Sequence, residues 1–176
     1  RVDLSALKSR ILRKDFNSPA LSKIPQAAFK PITVGPNEKT SATMNLLFPL
    51  AKVVLNFDNQ TGEPVSLTDV AISGIAIQGY LFKDIYANSY PQGAAGNGTV
   101  QFGTEGTLQV PVGEVADDDA SPYIRYLYPA WTSGNAYKLT ATWGSKTYEV
   151  VFKIGDEELK KLEAGQQLNV NVSLLV

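Results

Sequence analysis

The chain has 176 residues, a formal charge of −1, and neither cysteine nor histidine. That length fits one domain, or one domain with an arm, and allows a core large enough to need no disulfide or metal staple. Without histidine or cysteine, a Ser-His-Asp hydrolase, a Cys-His protease and a conventional zinc site are excluded in their usual forms.

The charge is unevenly spread. Residues 1–30 carry Arg1, Lys8, Arg10, Arg13, Lys14, Lys23 and Lys30 against Asp3 and Asp15, a local +5, which leaves −6 for the remainder. A basic arm is one way to hold nucleic acid or anionic lipid. The same residues suit a solvated segment that offers Arg and Lys to proteases, and that reading is preferred, with no nucleic-acid partner. No apolar run approaches the ~20 residues that span a bilayer. No leader is legible either, so an exported form would be mature or trimmed.

Residues 5–16 place Leu7, Ile11 and Leu12 at helical spacing, and Asn17-Ser18-Pro19 would stop a short amphipathic helix there. Prolines 19, 25, 31 and 36 then predict an extended, strand-poor lead. Residues 1–43 are therefore read as a basic, proline-rich arm and 44–176 as the folded domain. Ala51, Val53, Leu55 and Phe57 alternate with Lys52, Val54, Asn56 and Asp58, the period of a half-buried strand. Residues 59–64 form a turn, 67–73 a second strand, and 74–82 a third or its bent continuation. Residues 87–98, rich in Gly, Asn, Ala and Pro, read as a loop. Residues 99–102 and 107–112 resemble a hairpin around Gly103 and Gly106. Residues 115–121 make an acidic loop. Strands follow at 123–128, 137–143 and 147–154, the last two joined by the short turn Gly144-Ser145. Residues 156–162 have helical composition, with Gly165 as a stop. In the closing strand Leu168, Val170, Val172 and Leu174 share one face, and Asn169, Asn171 and Ser173 the other. Seven to nine short strands with turns at roughly 8–12-residue spacing imply an all-β fold, an antiparallel β-sandwich with little helix.

Few residues suggest chemistry. Asp117-Asp118-Asp119 lacks the alternating spacing of a calcium loop. Asp84, Glu105, Glu114 and Glu149 are scattered carboxylates that nothing pairs as a glycosidase requires. No catalytic residue, metal site or cofactor is expected. The densest aromatic stretch is Tyr123, Tyr126, Tyr128 and Trp131, with Arg125 among them. Such rings serve as sugar platforms or interface anchors; Tyr123, Arg125 and Trp131 are the candidate ligand or interface residues. Alternation puts Ile124, Tyr126 and Tyr128 on one face, expected to be core, with Tyr123 and Arg125 outside. Asn59, Asn97 and Asn171 head Asn-x-Ser/Thr triplets, which matter only in a eukaryotic secretory pathway.

Met44-Asn45-Leu46-Leu47-Phe48-Pro49-Leu50-Ala51-Lys52-Val53-Val54-Leu55 resembles the opening strand of the fimbrillins, pilin-like surface proteins of Bacteroidales. Residues 67–75 are similar to the strand that follows it in that family. Tyr126-Leu127-Tyr128-Pro129-Ala130 falls where many such chains carry an apolar-Pro-Gln segment, and residues 162–172 resemble the closing strand. The ordered set covers roughly 44–176. The resemblance implies a transthyretin-like sandwich, although the family commonly has two per chain and this chain has room for one plus its lead. It also implies a type V pilus subunit that reaches the outer membrane as a lipoprotein precursor, held to the membrane only through a lipid anchor. Its partners would be other pilus subunits by strand addition, and a host or bacterial surface glycan or protein as the adhesion target. An Arg-specific protease removes an N-terminal strand in that family, which makes Arg10 and Arg13 the candidate processing points. Leu168, Val170, Val172 and Leu174 become the strand-pairing and core set. Because Val176 follows so closely, no donor extension is expected, which points to a tip or accessory position. The alternative is a carbohydrate-binding sandwich on the cell surface using Tyr123, Tyr126, Tyr128, Trp131 and Trp143.

Overall fold

A computed structural model describes residues 11–12, 32–36, 39–46, 48, 50–75, 79–80, 98–115, 122–128, 136–160 and 162–175. In chain order the strands are β1 (Ile11–Leu12), β2 (Ala51–Asn59), β3 (Val65–Ile75), β4 (Gly79–Tyr80), β5 (Gly98–Gln101), β6 (Leu108–Val110) and β7 (Gly113–Glu114), then β8 (Ile124–Leu127), β9 (Lys138–Trp143), β10 (Lys146–Val151), β11 (Lys153–Ile154), β12 (Glu157–Glu158) and β13 (Gln167–Leu174). Among the described residues there is no helix, and so none long and apolar enough to cross a membrane.

Nine of these strands build two sheets packed face to face, the all-β sandwich that the alternation predicts. One sheet runs β10-β9-β3-β5, with β6 also on β3; the other runs β13-β2-β7, with β8 also on β2. Ala51, Val53, Leu55 and Phe57 of β2, at period-2 spacing, meet Leu67, Val70 and Ile72 of β3 in the main core, where an irregularity between Thr68 and Ala71 shifts the alternation of β3 by one residue. β2 is apolar on its reverse face too. Val54 joins Leu50, Ile124, Tyr126 and Tyr128 in a second buried cluster on the outer side of the smaller sheet, with Phe48 packed against it. The turn after β2 closes on Asn59. Its amide donates to the carbonyls of Glu63 (2.9 Å) and Val110 (3.2 Å), and its Oδ1 accepts from the Thr61 N–H and hydroxyl. That is the Asx-turn chemistry that favours Asn at such corners.

Four expectations change. Among the described residues all the pairings are antiparallel except that of β2 with β13, which is parallel over eight residue pairs, from Gln167↔Lys52 to Leu174↔Asn59. A parallel neighbour cannot be reached by a hairpin, so the rest of the domain serves as the crossover. β5 and β6 do not form a hairpin with each other. Both pair with β3 on the same side, as one edge strand interrupted by residues 102–107. The interruption is held by Val70, whose N–H donates to Gly106 O and whose carbonyl accepts from Phe102 N. Gly103 is required within it: φ is +64°, and a Cβ there would lie 1.9 Å from Thr107 O. Residues 156–162 form no helix; Glu157–Glu158 instead pairs back on Lys153–Ile154. Helical propensity loses because Leu159 and Leu162 are buried in the main core and the Leu159 main chain is tied to Phe152 and Tyr137. Lastly, Ile11–Leu12, within the helix expected over 5–16, pairs antiparallel with Gly79–Tyr80. The rest of that expected helix lies outside the described residues.

Leu55→Ala should lower the unfolding free energy by about 2–5 kcal/mol, because it leaves a cavity between the sheets. Val150→Ala, at a half-exposed position on β10, should stay within about 0.5 kcal/mol. Urea denaturation of the two variants checks this, and equal losses would contradict the layering.

Candidate functional site

The two sheets differ in width. Because β5 and β6 share one side of β3, the larger sheet is four columns wide. Because β7 and β8 share one side of β2, the smaller is three. Which columns face each other is set by Arg125 on β8. Its side chain, 3% exposed, donates from Nε to Gln101 O (2.7 Å), from Nη2 to Gly103 O (2.8 Å), and from Nη1 to Ile124 O (2.6 Å) and Pro122 O (3.3 Å). The guanidinium carbon lies 5.4 Å from the Phe102 ring centroid. A planar fork with donors on three nitrogens reaches carbonyls of both sheets at once, which an ammonium cannot do. Burial lowers its pKa from the ordinary value. Among the described residues no carboxylate faces it; carbonyl dipoles take the place of the lost water. Tyr123 makes a second tie between the same columns, donating to Gln109 O at 2.5 Å. Burial raises its phenol pKa, which keeps the proton needed for that bond.

With the β8 column over β5 and β6, β2 lies over β3 and β13 over β9. Among the described residues nothing stands opposite β10. There the inner faces of β9, β10 and β13 enclose a groove of about 440 Å³, lined by Phe57, Val70, Trp143, Tyr148, Val150 and Val172 among others, with no charged side chain. Tyr148 and Val150 are 49% and 53% exposed although they sit on the inner face. Leu168, Val170 and Val172 are half-buried against the core and Leu174 is buried.

Among the described residues, both strands bordering the groove have a free edge. Lys52 N–H donates to Gln166 O and Gln60 N–H to Leu174 O, so the even-numbered main-chain groups of β13 face β2. Those of Gln167, Asn169, Asn171 and Ser173 therefore point into the gap. On β10, Phe152 N–H donates to Tyr137 O, which leaves the main chains of Thr147, Glu149 and Val151 outward. Neither strand has a proline or a bulge; β10 carries Lys146 and Glu149, but β13 has no charge, so the usual protections are missing from the β13 edge. The site is a slot the width of one β-strand.

The candidate aromatics lie elsewhere. Tyr123 and Arg125 point inward and are buried, while Tyr126 and Tyr128 fill the outer cluster. Ile124, Tyr126 and Tyr128 are buried as expected, but Tyr123 and Arg125, expected outside, are buried as well, because their face of β8 is turned toward the other sheet. None of these four rings or guanidinium atoms is presented as an open platform. Trp131, Arg10, Arg13, Asp84, Asn97 and Asp117–Asp119 lie outside the described residues. Glu149 pairs with Lys138 at 2.8 Å in the larger sheet, whereas Glu114 is on β7 in the smaller, and Glu105 is in the interrupting loop. Asn59 is buried, its amide already donating to carbonyls; Asn171 is exposed and accepts from Asn56. Among the described residues no three metal-ligating side chains come together. Tyr148 and Val150 were legible as strand residues, but nothing in their spacing marks them as uncovered.

No protein-family model matches this chain, and no curated protein does. A solved structure of a proposed cell adhesion protein from Bacteroides ovatus ATCC 8483 superposes with a TM-score of 0.41 at 14% identity, covering 75% of this chain. This chain spans 42% of that protein's length. A likeness of that size assigns no role.

Arg125→Met should destabilise the fold by at least about 3 kcal/mol, since it strands buried carbonyls on both sheets. Arg125→Lys should recover little of that loss, lacking the fork. Full recovery with Lys, measured by thermal unfolding, would show that charge and not geometry matters there.

Proposed function

We propose that this chain is a non-enzymatic structural subunit of a bacterial surface fimbria, assembling by β-strand addition and supporting adhesion. The observation that carries the proposal is the slot: an apolar, uncharged groove one column wide, bordered by the unprotected edge of β13. An added strand satisfies the outward main-chain groups of β13 and covers Tyr148 and Val150 together. The fimbrillin-like order of motifs over 44–176 supports the same reading from the sequence side. The groove offers little else. Its lining includes no carboxylate or amine for acid–base work. A sugar needs several polar partners beside a stacking ring, and the slot is mostly hydrocarbon. The proposed location is the cell surface.

In the native cell, a Tyr148→Asp/Val150→Asp protein should fold and be exported, yet be absent from sheared surface filaments, because the charges oppose an incoming apolar strand. Normal incorporation of that variant would overturn the assembly role. Selective glycan binding by the wild type that is lost in Trp143→Ala would favour the carbohydrate-binding alternative.

A further inference from the structure

Resting on the strand-acceptor reading, we propose that the slot is filled by the lead of a second copy of this chain, residues 40–46. The segment reads Thr-Ser-Ala-Thr-Met-Asn-Leu, with no charge and no proline, and Ala42, Met44 and Leu46 alternate with Thr43 and Asn45. It lies outside any strand, and Met44 and Leu46 are 56% and 61% exposed. These are the chemical needs of the slot: an apolar face for Tyr148, Val150 and Trp143, a polar face continuing Asn169 and Asn171, and an unbroken row of N–H groups for β13. At roughly 3.3 Å per residue, the segment matches most of the length of β13. The other exposed apolar pair of the lead, Ile32 and Val34, fits less well. Pro31 and Pro36 bracket it too closely for a ladder.

The donor is a second copy because of how each lead joins its own domain. Phe48 and Leu50 pack on the outer face over Val54 and the β8 tyrosines. Leu50 O accepts from Gly165 N, so the main chain there is level with the lead-in to β13, but Phe48 holds the residues before it on the outer face over that cluster. To reach its own slot, the lead would have to pass β2 and β13, about 10 Å at two strand spacings, within the two residues between Phe48 and Leu46, which span about 7 Å. A neighbour's lead has no such constraint. Each copy then carries both a slot and a donor, so the contact is heterologous and propagates head to tail. A subunit of this kind is not confined to the end of a filament.

The test uses the 176-residue protein and a fluorescent peptide of residues 39–47, followed by anisotropy. Saturable binding is expected, at least ten-fold tighter than that of an unrelated, uncharged peptide of alternating Thr and Val. Met44→Asp/Leu46→Asp in the peptide should weaken binding at least ten-fold. So should Asn171→Pro in the protein, which removes an outward N–H and the exposed side-chain bond from Asn56 but none of the main-chain bonds to β2. Tyr148→Asp gives the same readout should the proline variant not fold. If the Thr-Val peptide binds and is lost with Tyr148→Asp while the lead peptide binds no better, the donor is not this lead, and the strand-acceptor reading survives. If neither peptide binds, both proposals fall. Lead-peptide binding that neither protein variant changes places the contact elsewhere and also overturns the proposal.

Discussion

Main-chain carbonyls from both sheets converge on the buried guanidinium of Arg125, and the stacking of the sandwich depends on that convergence. A β-sandwich core is mostly non-directional, since apolar faces pack nearly as well one column over. Directional bonds choose among such offsets. The fork on β8 reaches Gln101 at the end of β5 and Gly103 just beyond it, so the sheets register at this edge and any mismatch in width appears at the other. The cost of taking a cation out of water is offset by dipoles in place before it arrives, and loss of the side chain would leave them buried without a donor.

From that registration the asymmetry of the molecule follows. Among the described residues, four columns facing three leave β10 without a counterpart, and the inner residues of that strand stay half exposed although their alternation is that of a core strand. A protein under selection for solubility alone would be expected to shield such a place with a lysine, a proline or a bulge. Here β13 borders the gap with polar but uncharged side chains facing outward and apolar ones facing in. The arrangement keeps the edge soluble while leaving its ladder open to one more strand.

The smaller sheet is also covered on its outer face, which alters the meaning of the aromatic stretch. Tyr126 and Tyr128 are taken up by packing over Val54 and Ile124, and Tyr123 by packing beside Phe57, with the ring centroids 5.7 Å apart. Residues that in isolation look like a ligand platform are therefore what makes β2 buried on both faces. Interaction potential passes instead to two exposed places, the groove beneath β10 and the alternating lead before β2.

Much of this was legible along the chain. The strands at 51–59 and 167–174, the Gly144-Ser145 turn and the sandwich class follow from period-2 alternation and turn chemistry, which are local and survive in any context. The side chains facing the core along β2 and β13 were fixed by the same parity. What stayed hidden was pairing. Nothing local distinguishes a β5–β6 hairpin from two pieces of one edge strand, because both have the same strand patterns around a glycine turn, and only contact with Val70 decides. Nothing local shows that residues 157–158 would pair as a strand, because burial of Leu159 and Leu162 outweighs a helical composition worth only tenths of a kcal/mol per residue. Nor does alternation say which face of β8 is inside, since Arg125 on one side and the tyrosines on the other are each able to be buried if partnered. The sequence by itself determined which residues form strands and which of their side chains share a face. The tertiary structure alone decided how the columns are counted and aligned, and so where a strand is missing, because that depends on hydrogen bonds between residues far apart in the chain.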